Sequence, residues 1–186
     1  LHSRIAKTVQ NIPRSGIRDF FEIVSSREDV ISLGIGEPDF ITPWHIREAA
    51  VQALDRGMTS YTSNMGLLSL RRGISRYVEK KTGIGYRPED EVLVTVGVSQ
   101  GLDIAVRALV EPGDEVLYHE PSYVSYNPLI QFAYGKPVAI QTKKENGFRL
   151  TRAELEEHVS PKTKVLLLNY PNNPTIFAAI CLFQSF

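Results

Sequence analysis

The chain has 186 residues, of which 42% are hydrophobic and 23% charged, with Lys plus Arg at 21 balanced by Asp plus Glu at 21. That composition can build one good-sized core, and zero net charge without a basic stripe argues against nucleic acid or a membrane as partner and for small molecules. A single cysteine, Cys181, excludes an internal disulfide framework, and Leu1-His2-Ser3-Arg4 lacks a signal peptide's apolar core, so the expected location is cytoplasmic.

In chain order, Arg14 to Val24 reads as a short helix and Val30 to Leu33 as an extended segment. The latter enters a shaped loop, Gly34-Ile35-Gly36-Glu37-Pro38-Asp39-Phe40. Thr42 then reads as an N-cap with Pro43 at the first helical position, and Ile46, Ala49, Ala50, Ala53 and Leu54 form one apolar face before Gly57. After the polar linker Tyr61 to Gly66, Leu67, Leu70, Ile74, Tyr77 and Val78 recur at helical spacing, with a basic face read as solvated.

From residue 91 the pattern alternates strand and helix: Glu91 to Val96, Ser99 to Leu109, Asp114 to Tyr118, Tyr123 to Phe132, Pro137 to Gln141, Thr151 to His158, Thr163 to Leu168. Such alternation predicts an α/β fold, a mostly parallel sheet flanked by helices. The last strand empties into Asn169-Tyr170-Pro171-Asn172-Asn173-Pro174-Thr175, at the carboxyl edge where open α/β sheets bind ligands. Residues 176–186 are uncharged and far shorter than the roughly 20 apolar residues of a spanning helix.

Two segments suggest chemistry. In Val94-Thr95-Val96-Gly97-Val98-Ser99-Gln100-Gly101 a strand turns through glycine into a helix, whose N-terminal amides and dipole favour a phosphate. A plain strand-to-helix turn with Ser99 as N-cap is the competing reading. The glycine spacings fit neither nucleotide fingerprint, and the four histidines, His2, His45, His119 and His158, lack metal-ligand spacing.

Five segments stand in a familiar order: Gly34 to Phe40 with Thr42-Pro43, Tyr61 before a helix, Val96 to Gln100, Pro121-Ser122-Tyr123-Val124-Ser125-Tyr126, and Pro171 to Thr175. Over about residues 12 to 175 the chain resembles the N-terminal part of class I/II aminotransferases, pyridoxal-phosphate (PLP) enzymes of fold type I close to aspartate and aromatic aminotransferases. The resemblance implies an N-terminal arm and small-domain segment at 1–44, a partial PLP-binding large domain at 45–175, and a divergent apolar tail at 176–186. It implies PLP as cofactor, an amino acid and a 2-oxo acid as substrates, and a homodimer in the full-length parent.

By the same resemblance, Val98, Ser99 and Gln100 hold the cofactor phosphate and Tyr123, often Trp in relatives, stacks on the pyridine ring, with Tyr126 or plain core packing as competing readings. Asn173 donates to the cofactor's O3′ and helps orient substrate, Asn172 being a turn residue. Gly36 offers its backbone N–H to the substrate carboxylate, and Tyr61 reaches the phosphate of the neighbouring subunit's cofactor unless it is simply a half-exposed loop aromatic. No lysine falls where the family places the one that forms a Schiff base with PLP, and Ile176 stands where glycine is expected. The expectation is therefore of a chain inactive by itself, read as a truncated remnant that dimerises or binds PLP weakly.

Overall fold

The computed structural model describes residues 4–12, 29, 36 and 38–175. The expected helix Arg14 to Val24, the extended segment Val30 to Leu33, most of the Gly34 to Phe40 loop, and the apolar tail with Cys181 lie outside the described residues. The chain divides into two units, one drawn from Leu1–Arg14 and Val96–Phe186, the other from Ser15–Thr95. Among the described residues no helix is long and apolar enough to cross a membrane.

In the first unit α1 is the single turn Lys7–Gln10. The sheet is built by β1 (Glu115–Glu120), β2 (Lys136–Gln141) and β3 (Thr163–Leu167), in the order β2-β1-β3 and parallel throughout. A parallel sheet needs both faces covered. The first five residues of β1 are accordingly buried, and its neighbours alternate between two apolar clusters.

Val116 and Tyr118 point to one face, joining Val106 and Val110 at the end of α4 (Gly97–Leu109) and Leu129 and Ile130 of α5 (Tyr126–Phe132). Leu117 points to the other, with Ile140, Leu150 and Leu155, the last on α6 (Arg152–His158). Fully burying a side chain of this size stabilises by about 1.5–3 kcal/mol, so the β1 residues dominate the packing. Thr151 caps α6 in a reciprocal box: Glu154 N donates to Thr151 Oγ1 at 3.2 Å and Thr151 N donates to Glu154 Oε2 at 2.9 Å.

The start of β1 is pinned by a buried carboxylate. Glu115 accepts from Lys136 Nζ at 3.0 Å and from Ser160 Oγ at 2.6 Å, tying β1 to β2 and to the turn before β3. The Ser160 hydroxyl, then the Lys136 ammonium, hold the Glu115 carboxyl below its ordinary value of 4.5.

The second unit carries α2 (Trp44–Asp55) and α3 (Leu68–Thr82). Here three expectations need correction. Pro43, not Thr42, is the N-cap of α2, and Ile46 and Leu54 on its apolar face remain half or more exposed. On α3 the basic side is not wholly solvated: Arg71 is 5% exposed while Leu70 and Tyr77 stay in solvent. Its guanidinium caps backbone carbonyls, Nε donating to Gly66 O at 3.1 Å and Nη1 to Pro88 O and to Glu89 O. Five fixed donors satisfy three carbonyls that an apolar side chain would leave unpaired.

The strand expected at Glu91 to Val96 does not form; Val94 N–H donates instead to the loop carbonyl of Met65 at 3.0 Å. That approach is close because Gly66 lies against Val94: a Cβ on Gly66, whose φ is +90°, would fall 2.7 Å from Val94 Cβ. Gly66→Ala should destabilise this unit by about 2 kcal/mol, through strain at positive φ and overpacking, measured by urea denaturation. In the other unit, the depressed Glu115 pKa stabilises fully above its ordinary value and is lost as pH falls through the lowered one. Acid unfolding monitored from pH about 5 downward should therefore be shallower in Glu115→Gln than in the wild type.

Candidate functional site

Three segments of the first unit carry the expected residues, and two of them follow strands at the carboxyl edge of the sheet. α4 leads through 110–114 into the start of β1, and Leu102, Val106 and Val110 pack it against the core cluster of β1 and α5. The helix begins two residues earlier than Ser99, with Val96 as N-cap, which makes Ser99 the third residue of the first turn. First-turn amides have no intrahelical acceptor, so those of Val98 and Ser99 face outward from the positive end.

No side-chain oxygen of Val96 can cap this end; instead Gln100 Oε1 accepts from Val96 N–H at 2.6 Å. The Gln100 carbonyl oxygen is thus engaged in its own helix. Gly97 has φ +76°, and nothing lies within 4 Å of where its Cβ would stand. The backbone at this turn is open to close approach.

The second segment follows β1 through the cis Glu120–Pro121 bond. Tyr123 is 38% exposed, whereas Tyr126 is 6% exposed and belongs to the core cluster, meeting Tyr123 edge-on at 5.8 Å. Only Tyr123 presents a ring to solvent at this loop. Beneath it Asn127 Nδ2 donates to Tyr118 Oη at 3.1 Å, and Tyr118 Oη donates to Glu120 Oε1 at 3.2 Å. Burial, the leading cause, pushes the Tyr118 phenol pKa up and keeps it a donor.

The third segment follows β3. Asn173 is exposed in the turn, while Asn172 is 3% exposed. Tyr170 lies flat on His119, ring centroids 4.9 Å apart and planes 7° from parallel. His119 is 1% exposed near the end of β1, with both ring nitrogens buried. Burial pushes its imidazole pKa below the ordinary 6.5, opposed by the nearby Asn169 backbone.

Val98, Ser99, Gln100, Tyr123 and Asn173 therefore all belong to the first unit. Gly36 and Tyr61 belong to the second; both are exposed, Tyr61 fully.

The family model for aminotransferase class I and II matches residues 28–179. The chain belongs to the class I and II aminotransferase family. It is 47% identical over 161 residues to aspartate aminotransferase from Pyrococcus abyssi, matching 87% of this chain and 41% of that protein. It is 43% identical over 171 residues to aromatic-amino-acid aminotransferase 2 from Thermococcus litoralis, matching 92% of this chain and 44% of that protein. A solved aspartate aminotransferase from Thermus thermophilus superposes with a TM-score of 0.84 at 36% identity, over 91% of this chain and 45% of that one. The chain thus spans under half the length of these aminotransferases.

Aminotransferases of this family depend on PLP, and the chemistry of these residues of the first unit suits that group. The outward first-turn amides and the open Gly97 backbone suit a phosphate, the exposed Tyr123 ring suits an aromatic face, and Asn173 brings an amide. Sequence reasoning missed the buried polar partners of the edge, His119, Tyr170 and Asn172. The available signal was a histidine inside a strand whose other central residues are apolar.

Because protonation of buried His119 favours the unfolded chain, stability should be full above about pH 6.5 and fall as pH drops below it. His119→Phe keeps a ring against Tyr170 and should flatten urea midpoints between about pH 7 and 5. A wild-type midpoint unchanged over that interval would contradict the buried, neutral imidazole.

Proposed function

We propose that this chain forms one wall of the PLP site of an aminotransferase that moves an amino group between an amino acid and a 2-oxo acid. The observation that supports the reading is that one unit carries three chemically matched elements: the exposed Tyr123 ring and the Asn173 turn, which follow β1 and β3, and the N-terminus of α4. When bound, PLP supplies the electron sink for the charge left at the substrate Cα.

The chain's own residues bind and orient. Amides of Val98 and Ser99, with the Ser99 hydroxyl and the Gln100 amide nitrogen, receive the phosphate; the helix dipole favours its negative charge. Tyr123 covers one face of the ring, and Asn173 donates to the ring hydroxyl oxygen, which also orients the incoming substrate. Gly36 offers its N–H to the substrate carboxylate. Tyr61 reaches the phosphate of a second copy's site, so the working form is a cytoplasmic homodimer; the exposed Trp44, Ile46 and Leu54 of α2 give such a dimer apolar surface.

A second reading concerns the 186-residue chain by itself: it holds PLP without turning over. Its support is that no lysine matches the position where the family places the one that forms a Schiff base with PLP. Lys136 is engaged with Glu115 at the opposite edge of the sheet, Lys162 and Lys164 stand at the start of β3, Lys80 and Lys81 end α3, Lys7 lies in α1, and Lys143 and Lys144 follow the end of β2.

Titration of the purified chain with PLP and with pyridoxal separates a phosphate site from indiscriminate reaction with lysines. PLP should bind at least about tenfold more tightly, a difference of about 1.4 kcal/mol. Equal affinity for both would sink the reading. Ser99→Asp puts a carboxylate in the first turn, which favours the helix but occupies the phosphate position. It should leave the unfolding midpoint unchanged or raised while weakening PLP by more than about tenfold.

A further inference from the structure

We propose that Asn172 is a positioning residue that clamps the loop after β1 to the turn after β3, fixing Tyr123 and Asn173 at one spacing. The proposal rests on the cofactor reading above, since it gives those two residues a common ligand.

The clamp is a side-chain bond across 51 positions of sequence. Asn172 Nδ2 donates to Pro121 O at 2.8 Å and to Thr175 Oγ1 at 2.9 Å, and the residue is 3% exposed. A carbonyl can only accept, so the NH2 group must face Pro121 and both its hydrogens are used. Pro121 precedes Tyr123 by two residues, and Asn172 immediately precedes Asn173. The bond therefore joins the two loops next to the residues that matter.

It also completes a bracket around the exit of β1. The preceding carbonyl, Glu120 O, accepts from Thr142 N at 2.9 Å and Thr142 Oγ1 at 2.6 Å, just beyond the end of β2. Consecutive carbonyls of one loop are thus held from the two neighbouring strands, Glu120 from the β2 side and Pro121 from the β3 side. With both held, the direction in which the loop presents Tyr123 is set by the sheet. Tyr170, stacked on His119, holds the other end of the same turn against β1. Loss of Asn172 would release Pro121 O as a buried or water-seeking acceptor and let the Tyr123 loop drift from the Asn173 turn.

The phosphate-holding end of α4 takes no part in this bracket, which gives a positioning role a distinct signature. Asn172→Asp keeps the shape but sets a carboxylate oxygen against Pro121 O; Asn172→Ala removes the bond without charge. Both are compared with the wild type and with Ser160→Ala, which loosens the distant start of β1. PLP affinity, inorganic phosphate affinity and deuterium uptake are measured on the intact chain.

Both Asn172 variants should weaken PLP about tenfold, leave inorganic phosphate within about twofold, and raise deuterium uptake at 121–126 as well as at 172–175. Ser160→Ala should show neither the PLP loss nor the paired uptake. Wild-type PLP affinity in Asn172→Ala, or an equal loss of phosphate, would overturn the positioning role. If the wild type itself prefers PLP no more than pyridoxal, the cofactor reading falls. The clamp is then decided by uptake alone: a rise confined to 172–175 overturns it and a paired rise sustains the coupling.

Discussion

β1 is hydrogen-bonded along both edges and covered on both faces, and every other feature of its unit is placed relative to it. Side chains alternate across a strand, so Val116 and Tyr118 recruit α4 and α5 while Leu117 recruits α6 with Leu150 and Ile140. Parallel pairing to β2 and β3 then brings the ends of all three strands to one edge. A ligand at that edge meets several loops at once, which a single hairpin could not offer.

The two ends of β1 are treated differently. Its start is fixed by charge, Glu115 meeting Lys136 and the Ser160 hydroxyl. Its end is held by the stacked His119 and Tyr170 and the amide of Asn172, together with one carboxylate, Glu120, which accepts from the Tyr118 hydroxyl and from Gln141 Nε2.

Much of this architecture was legible in the chain. The alternation of apolar runs and amphipathic segments marked β1, β2, β3 and α4 to α6, because burial on both faces writes a continuous apolar strand and burial on one face writes a helical stripe. Glycine and asparagine at the turns marked the segments proposed to hold the cofactor. Glu91 to Val96 was misleading because its apolar residues serve a loop, with Val94 bonded to Met65. The α3 stripe was misleading because Arg71 can bury its stem and still satisfy carbonyls, which no hydropathy pattern encodes. Asn172 read as a turn residue because its partner, the Pro121 carbonyl, lies 51 positions away. Side-chain to backbone bonds of that range leave no periodic trace.

Membership of the aminotransferase family, an α4 terminus open to a phosphate, and two clamped loops make a consistent account of one wall of a PLP site. Amide shift mapping of the isotope-labelled chain during titration with PLP tests it most directly. The account predicts the largest shifts at Val98, Ser99, Tyr123 and Asn173. Shifts gathered instead around Asp114, Lys136 and Lys162 at the opposite edge, where an aldehyde would find amines, would contradict it.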